Sequence, residues 1–330
     1  MTLRWVTTRL RPLAFALLAA CLAVCVSWID LREPFGTPGP DIDQAWFAAR
    51  AVLNGQDPYE TIRSSGFSFP FFYPLTAAVA SLPLALLPVE GARLVFVVGG
   101  AAIFSYAVGK HRPYLWPTFF GFPFLVCLRS AQWAPILTAA MMFPSLGWLA
   151  AVKPNLGVVM LAGTRSKRDA LLLVGGGLIT VAISLALDPH WPVKWWEALA
   201  VATHFRPLLL RPAGFLVLLA LWHWRDPDAR ILLALALVPL TGIFYDMLPA
   251  CLVCRTRRQA AFVALASHVS WMVPWWQVWH TYAEKMWLNG SIVLWFGLLP
   301  PLAVVLWRGL PAYRERISLL RTILLSPNSR

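Results

Sequence analysis

The stretch TRSKRDALLLVGGGLITVAISLALDPH, residues 164–190, joins a dense basic patch to an unbroken apolar run. The run over residues 170–187 carries no charge and has about the 17–25 residues that a helix needs to cross a bilayer. A basic patch before such a run is typical of the cytoplasmic end of a transmembrane helix. Its small residues, VGGGLI at 174–179, favour close packing against a neighbouring helix.

Similar apolar runs recur along the whole chain. The 330 residues are 59% hydrophobic and 13% charged, whereas a soluble domain is usually about 45–50% apolar and about 25% charged. The runs do not alternate polar and apolar residues as the strands of a membrane barrel do. The sequence therefore predicts an all-α fold, a polytopic transmembrane bundle of about 10–12 helices that forms one integral membrane domain over residues 1–330.

The net charge is +13, and the basic residues that produce it lie mainly between the apolar runs. Basic residues cluster in three short patches between the runs, at 164–169, 254–258 and 307–316, as the positive-inside rule predicts for a membrane protein. We therefore interpret the positive charge as a marker of membrane orientation, and we expect no nucleic-acid partner. Cys251 and Cys254 form a CxxC without a second ligand pair, so we predict no metal site and no cofactor.

Counting charges along the chain gives a topology. Basic residues before the first run place the N-terminus in the cytoplasm, and residues 30–70 then form the first outer loop. The three basic patches and the tail over residues 307–330 are expected in the cytoplasm, in a multi-pass protein of the inner (plasma) membrane. The polar chemistry then faces the periplasm or exterior.

The same charge counting predicts where individual helices cross the membrane. Residues 74–89 are taken as the second crossing, 92–109 as the third and 134–150 as a single crossing, which leaves the basic KHR at 110–112 outside, against the charge rule. Two segments, around Lys153-Pro154 and around Asp246-Pro249, are short or interrupted by proline. Interrupted helices in a bundle usually line a cavity and do not face lipid.

The first outer loop carries the segment DIDQAWFAARAVLNGQDPY, residues 41–59. Its residues alternate at helical spacing between an apolar side (Ile42, Trp46, Ala49, Leu53) and a polar side (Asp43, Gln44, Arg50, Asn54), which predicts an amphipathic helix lying on the membrane surface. Asp41 and Gln44 have the spacing of a capping box, so the acids could simply cap this helix. One acid is enough for a cap, which leaves the other available for catalysis.

Several segments resemble glycosyltransferase family 87, a family of the C-type (GT-C) superfamily. They are residues 41–59, FPFFYPL (69–75), AQWAPILTAA (131–140), LAAVKPNLGVVML (149–161) and IFYDMLP (243–249), in the order in which that family has them. Leu75 stands where the family has a second proline, and Ala131 where it has a glycine. The resemblance covers about half the chain and implies a GT-C-like helical bundle.

The resemblance also implies an activity. Such enzymes transfer a sugar, mannose or a related one, from a polyprenyl-phosphate donor to a lipid or glycan acceptor, with inversion and an acidic residue of the first outer loop as the base. Matching Arg50 to the arginine of the family places that acid on Asp41, with Asp43 as the alternative. The expected partners are the lipid-linked donor, the acceptor and membrane lipids.

The departing phosphate needs cations nearby, though not necessarily a metal. The candidates on the outer side are Lys153, His190, His204 and Arg206. Lys153 could instead extend its amine to the membrane surface, and the other three could anchor interfacial loops. Gln132 could bind the sugar or cap a half-helix. Tyr245 and Asp246 could line the acceptor site or contribute only to packing.

Two other functions compete with glycosyl transfer. A transporter or lipid flippase shares the interrupted helices and the buried charges, although no internal repeat joins the two halves of the sequence and the acids concentrate in one outer loop. A scaffold protein without activity would use the acids only as helix caps.

Overall fold

The computed structural model describes residues 3–30, 41–67, 69–202, 205–269 and 282–309. These residues are mostly helical, which confirms the all-α class of the predicted fold. The α-helices are α1 (Leu3–Asp30), α2 (Asp41–Leu53), α3 (Pro58–Ser64), α4 (Leu75–Ser81), α5 (Val89–His111), α6 (Phe122–Arg129), α7 (Ala134–Ala140), α8 (Pro154–Ala162), α9 (Lys167–Leu187), α10 (Trp191–Ala200), α11 (Pro227–Leu237), α12 (Arg257–His268) and α13 (Tyr282–Val293).

Shorter elements connect these helices. The 3₁₀ segments are Leu84–Leu86, Pro113–Phe120, Pro144–Val152, Leu208–Leu210, Gly214–His223 and Phe244–Val253, and a π-helical turn covers Leu294–Leu298. Two strands of two residues each, β1 (Arg206–Pro207) and β2 (Pro239–Leu240), pair antiparallel with Arg206 opposite Leu240.

Three of the described helices are long and apolar enough to cross a membrane. They cover Val89–His111, Lys167–Leu187 and Met286–Gly309. The second of them is α9, the helix predicted from residues 170–187. Many of the other apolar runs are divided, because proline and glycine interrupt them: Gly121 separates Pro113–Phe120 from α6, and Pro144 begins a new segment after α7.

The small residues of α9 allow it to pack closely, as expected. Helix α9 lies along the segment Pro144–Val152. A Cβ on Gly176 would come within 2.9 Å of the Trp148 backbone, and one on Gly147 within 2.8 Å of the Leu173 Cα. Glycine at these two positions therefore lets the two backbones touch.

The three basic patches meet at one end of the protein. Asp228 is buried and accepts ion pairs from Arg165 at 2.6 Å, Arg255 at 3.1 Å and Arg308 at 3.0 Å, one arginine from each patch. We call this the basic end. At the opposite end of α9, which is about 31 Å long by its 21 residues, Lys194 pairs with Asp57 and Asp188, each at 2.7 Å.

The predicted directions of the second and third crossings are wrong. Residues 74–89 form only the seven-residue α4 and a 3₁₀ turn, interrupted by Pro83 and Pro88. Helix α5 therefore starts at the end opposite the basic one. Near its C-terminus, the Gly109 carbonyl accepts a hydrogen bond from Arg11 Nε at 3.1 Å.

The KHR residues consequently lie at the basic end. Arg112 Nη1 donates to the Leu252 carbonyl, two residues before Cys254 and close in sequence to the Arg255 that binds Asp228. Residues 110–112 thus lie at the same end of the protein as the three basic patches, and not at the opposite end as charge counting predicted.

The predicted single crossing over residues 134–150 is also wrong. Residues 134–150 do not form one crossing, because the chain turns back at Phe143, whose ring packs on Tyr106 and His111 near the C-terminus of α5. The segment Pro144–Val152 then returns to Lys153, beside Gln132.

The positions of Ser64 and Ser166 test which end faces which side of a membrane. Both are exposed. Ser64 ends α3, the helix that Asp57 caps at its N-terminus, and Ser166 precedes α9 at the basic end. In a background with Cys21 and Cys25 changed to Ser, Ser64→Cys should react with an impermeant thiol reagent from outside intact cells. Ser166→Cys should react only after the membrane is opened. Labelling of both from one side would contradict the arrangement.

Candidate functional site

Asp41 connects three distant parts of the chain. Its backbone N–H donates to the Ser130 carbonyl at 3.2 Å, and its Oδ2 accepts hydrogen bonds from Tyr73 Oη at 3.1 Å and from Gln132 Nε2. Gln44 Nε2 donates to the Phe69 carbonyl at 3.2 Å. The capping box considered for Asp41 and Gln44 is therefore not formed, because both side chains and the Asp41 N–H bind elsewhere.

A tight turn places Gln132 between two charged groups. The turn joins α6 to α7, and Ala131 adopts a φ of 45°, in the left-handed region that glycine prefers. The backbone here thus has the conformation of the glycine that the resemblance places at this position. Gln132 is 2% exposed, and its Oε1 accepts from Lys153 Nζ at 3.4 Å. Its amide therefore bridges the Asp41 carboxylate and the Lys153 ammonium.

Lys153 lies at the break between Pro144–Val152 and α8. The following proline disfavours a helical conformation at Lys153, which has φ −137° and ψ 83°. Its Nζ is 2.7 Å from Asp246 Oδ1 and 4.6 Å from the centroid of the Tyr245 ring. Lys153 is only 7% exposed, so the alternative in which its amine extends to the membrane surface is wrong.

Asp246 completes the network from the second predicted break. It is fully buried in the segment Phe244–Val253, and its Oδ2 accepts from Thr241 Oγ1 at 3.0 Å and Thr241 N at 3.4 Å. The two interrupted segments that the sequence singled out thus meet at one ion pair. We call Asp41, Tyr73, Gln132, Lys153 and Asp246 the Asp41 network.

The network affects the protonation of Asp41. Burial raises the pKa of the Asp41 carboxyl, and the charge of Asp246 adds to this effect. The charge of Lys153 and the hydrogen bonds from Gln132 and Tyr73 lower the pKa, but the net shift is upward. A carboxylate with a raised pKa is a stronger base. Burial, followed by the Asp41 charge, raises the pKa of Tyr73, so its hydroxyl stays a donor.

Asp43 has different surroundings from Asp41. Residues two apart on a helix point about 200° apart, and Asp43 faces α5, where Arg93 binds its two oxygens at 2.7 and 2.5 Å. Asp43 is buried, although it was expected on the polar side of a surface helix. That expectation is wrong for α2. Trp46 and Arg50 donate to backbone carbonyls of residues 84–87, and Leu53, predicted on the apolar side, is 51% exposed.

The other predicted binding residues lie outside the network. The exposed His190 donates its backbone N–H to Asp188 Oδ1 at 2.9 Å, in the loop before α10. The exposed Arg206 has its guanidinium 5.9 Å from the Trp287 ring centroid. His204 lies outside the described residues.

Tyr73 and Thr241 contact the site residues but were not predicted to do so. Tyr73 belongs to FPFFYPL, one of the segments that carry the resemblance, so the sequence contained a signal for it. Thr241 has no such signal, because its contact with Asp246 depends on the turn at Gly242, where φ is +74°.

Comparisons with known proteins leave the function open. No family model matches the chain, and no curated protein or solved structure is significantly similar to it. The function must therefore be argued from the residues and their geometry.

The Lys153–Asp246 pair yields a test of the network. Lys153→Met or Asp246→Leu alone should lower the free energy of unfolding by about 3–5 kcal/mol, because each leaves an uncompensated buried charge. The double variant should recover most of this loss. Thermal unfolding in detergent micelles measures all three variants.

The exposed pair Glu60–Arg63, 3.1 Å apart, provides the control. Glu60→Gln and Arg63→Met should change stability by at most about 1 kcal/mol. If the two buried substitutions were simply additive, Lys153 and Asp246 would not stabilise each other and the network would be wrongly assigned.

Proposed function

We propose that this protein is an integral membrane glycosyltransferase that moves a sugar, mannose or a related one, from a polyprenyl-phosphate donor to a hydroxyl group of a lipid or glycan acceptor. The observation that carries the proposal is the convergence of the resembling segments. Five segments separated by up to about two hundred residues each contribute one side chain to the Asp41 network. Packing alone does not require such a buried polar arrangement.

Asp41 has the features of a general base. Tyr73 and Gln132 bind its Oδ2, whereas no described residue donates a hydrogen bond to its Oδ1. The residue Asp41 is partly exposed, and we propose that an acceptor hydroxyl approaches its Oδ1. A carboxylate oriented in this way and with a raised pKa supports proton abstraction, an effect worth about 10²–10⁴-fold in rate.

The proposed reaction is a single displacement. The acceptor hydroxyl gives its proton to Asp41 Oδ1 as its oxygen bonds to the anomeric carbon of the sugar. The bond from that carbon to the phosphate oxygen breaks on the opposite face, and its electron pair leaves with the lipid phosphate. The configuration of the sugar inverts, and neither a metal nor a cofactor is required in this scheme.

Lys153 has a positioning role in this scheme. We expected Lys153 to bind the donor phosphate, but its ammonium pairs with Asp246 at 2.7 Å and contacts the Gln132 amide. That contact orients Gln132, whose other end donates to Asp41. We therefore propose that Lys153 and Asp246 hold Gln132 and Asp41 in place.

We further propose that the fold is a polytopic bundle of the GT-C type. The three long apolar helices would cross the inner (plasma) membrane. The basic end, with three arginines on Asp228, would lie in the cytoplasm, in line with the positive-inside rule. The Asp41 network is nearer the opposite end and would face the periplasm or exterior.

One observation favours a second candidate function. The Lys153–Asp246 pair lies where two interrupted helical segments meet, an arrangement also used by transporters and lipid flippases. A transporter would need this pair to open, whereas it has no need for a base at Asp41. The next experiment separates the two functions.

Asp41→Asn should reduce sugar transfer from a polyprenyl-phosphate donor by about 100-fold or more, because the amide cannot accept the proton. Asp43→Asn is the matched variant two residues away in the same helix. It should retain transfer per folded molecule and lower the melting temperature, because it breaks the bidentate pair with Arg93.

Initial rates with purified protein and a lipid-linked sugar, together with melting curves, measure both effects. A loss of transfer only in Asp43→Asn would move the base by two residues. Full transfer in both variants, or no transfer in the unaltered protein, would contradict the proposed function and favour the transporter.

Tyr73→Phe provides a pH test. Tyr73 donates to ionised Asp41 and so lowers its pKa; without this bond the pKa rises further. Because the base works only when ionised, activity is lost as the pH falls through that pKa, and the acid limb of the kcat profile should move to higher pH. Tyr106→Phe, near the basic end, should leave the profile in place. An unmoved limb in Tyr73→Phe would argue against Asp41 as the titrating base.

A further inference from the structure

Arg211 differs from the other buried charged residues that the structure describes. Buried Asp43, Lys153, Asp228 and Asp246 each have an ion-pair partner. Arg211 is 4% exposed and pairs with no carboxylate among the described residues. Its Nη1 donates to the Trp287 carbonyl at 2.8 Å, its Nη2 to the Met286 carbonyl at 3.5 Å, and its Nε is buried without an acceptor.

A buried guanidinium without a counter-ion is energetically costly. Two backbone carbonyls compensate only part of that cost, and they carry no negative charge. The Arg211 Cζ also lies 4.2 Å from the centroid of the Trp287 ring, a cation–π contact that fixes the plane of the guanidinium. The side chain is thus held in one orientation, with a donor left over.

A second cation lies beside it. Arg206 is exposed, and its guanidinium is 5.9 Å from the centroid of the same Trp287 ring. Two positive groups around one aromatic ring, neither of them in an ion pair with a described carboxylate, repel each other unless an anion binds. This arrangement favours a ligand with at least one negative charge.

The two arginines are close to the Asp41 network. Gly290 packs against the Arg211 guanidinium, and a Cβ there would lie 2.6 Å from Nη2. Gly242 packs in turn against Gly290, and the preceding residue, Thr241, binds Asp246. Arg206 lies opposite Leu240, the residue before Thr241. The cations are therefore one layer of backbone away from the network.

We propose that Arg211 and Arg206, with Trp287 between them, bind the phosphate group of a membrane lipid. In the glycosyl transfer described above, on which this assignment rests, that lipid is the polyprenyl-phosphate donor. Guanidinium groups match phosphate oxygens in geometry and charge. As the sugar leaves, negative charge grows on the phosphate, and two fixed cations beside it lower the barrier. This gives the departing phosphate the counter-charge that Lys153, paired with Asp246, does not supply.

The surroundings favour a lipid phosphate over a free one. Trp287 lies in the first turn of the apolar span Met286–Gly309, and both Trp287 and Trp295 of that span are exposed. Tryptophan at the end of such a helix is typical of the lipid headgroup region. A lipid whose chain lies along this helix would place its phosphate beside Arg211.

Binding in lipid nanodiscs tests the proposal. The full-length protein is placed in phosphatidylcholine discs, and binding of a polyprenyl monophosphate is measured by native mass spectrometry. Arg211→Gln should weaken binding by about tenfold or more, and Arg206→Gln by a smaller factor. Arg112→Gln is the matched control, since Arg112 also donates to a backbone carbonyl but lies at the basic end. Arg112→Gln should bind the polyprenyl monophosphate as tightly as the unaltered protein does.

Inorganic phosphate separates the two sources of the anion. At a concentration equal to that of the polyprenyl monophosphate, inorganic phosphate should not displace the lipid, because it lacks the polyprenyl chain. Competition at equal concentration would overturn the assignment to a lipid. Arg211→Lys keeps the charge but loses the planar guanidinium, so it should bind the polyprenyl monophosphate with intermediate affinity. This variant still tests the site if Arg211→Gln does not fold. Unchanged binding in both Arg211→Lys and Arg206→Gln would overturn the site.

The outcome can be separated from that for glycosyl transfer. If no sugar is transferred but lipid phosphate binding depends on Arg211, the enzymatic proposal fails and the phosphate site remains. If transfer depends on Asp41 while the Arg211 variants keep the binding affinity and the KM for the donor, only the phosphate site fails.

Discussion

The ion pair between Lys153 and Asp246 is the interaction on which the described site depends. Lys153 lies at the break between Pro144–Val152 and α8, and Asp246 lies in the first turn of the segment Phe244–Val253. A lone charge at either position would be very costly to bury, so each is stable there only because the other is present. The pair joins the two positions, and Gln132 transmits its position to Asp41.

Asp41 and Asp43 show how tertiary contacts separate two similar residues. Both begin the same helix, and both are acids beside an apolar protein interior. Asp43 meets Arg93 and becomes part of the packing between α2 and α5. Among the described residues, Asp41 accepts hydrogen bonds from neutral donors on Oδ2 alone, and the Gln132 amide links it to the Lys153 ammonium. The first arrangement is a satisfied ion pair, whereas the second leaves a carboxylate able to accept a proton.

The distribution of cations follows the same principle. At the basic end, three arginines pair with the buried Asp228, and two of them also pair with Asp226, so each has a carboxylate partner within the protein. Near the Asp41 network, Lys153 is also compensated, but Arg211 has only backbone carbonyls and an aromatic ring among the described residues. Charge that a protein does not compensate itself is available to a ligand. This contrast distinguishes structural cations from a candidate binding site.

The sequence by itself determined the helical class, the long apolar helix over residues 170–187 and the grouping of the basic patches, because these depend on composition and local periodicity. It also selected Asp41, Gln132, Lys153, Tyr245 and Asp246 as candidates. Only the tertiary structure decided the direction of α5, since charge counting cannot tell a crossing from a short helix interrupted by Pro83 and Pro88. Likewise, only tertiary contacts paired Lys153 with Asp246, placed Asp43 on Arg93 and left Arg211 without a counter-ion among the described residues. Partners distant in the chain are fixed by packing and not by local sequence.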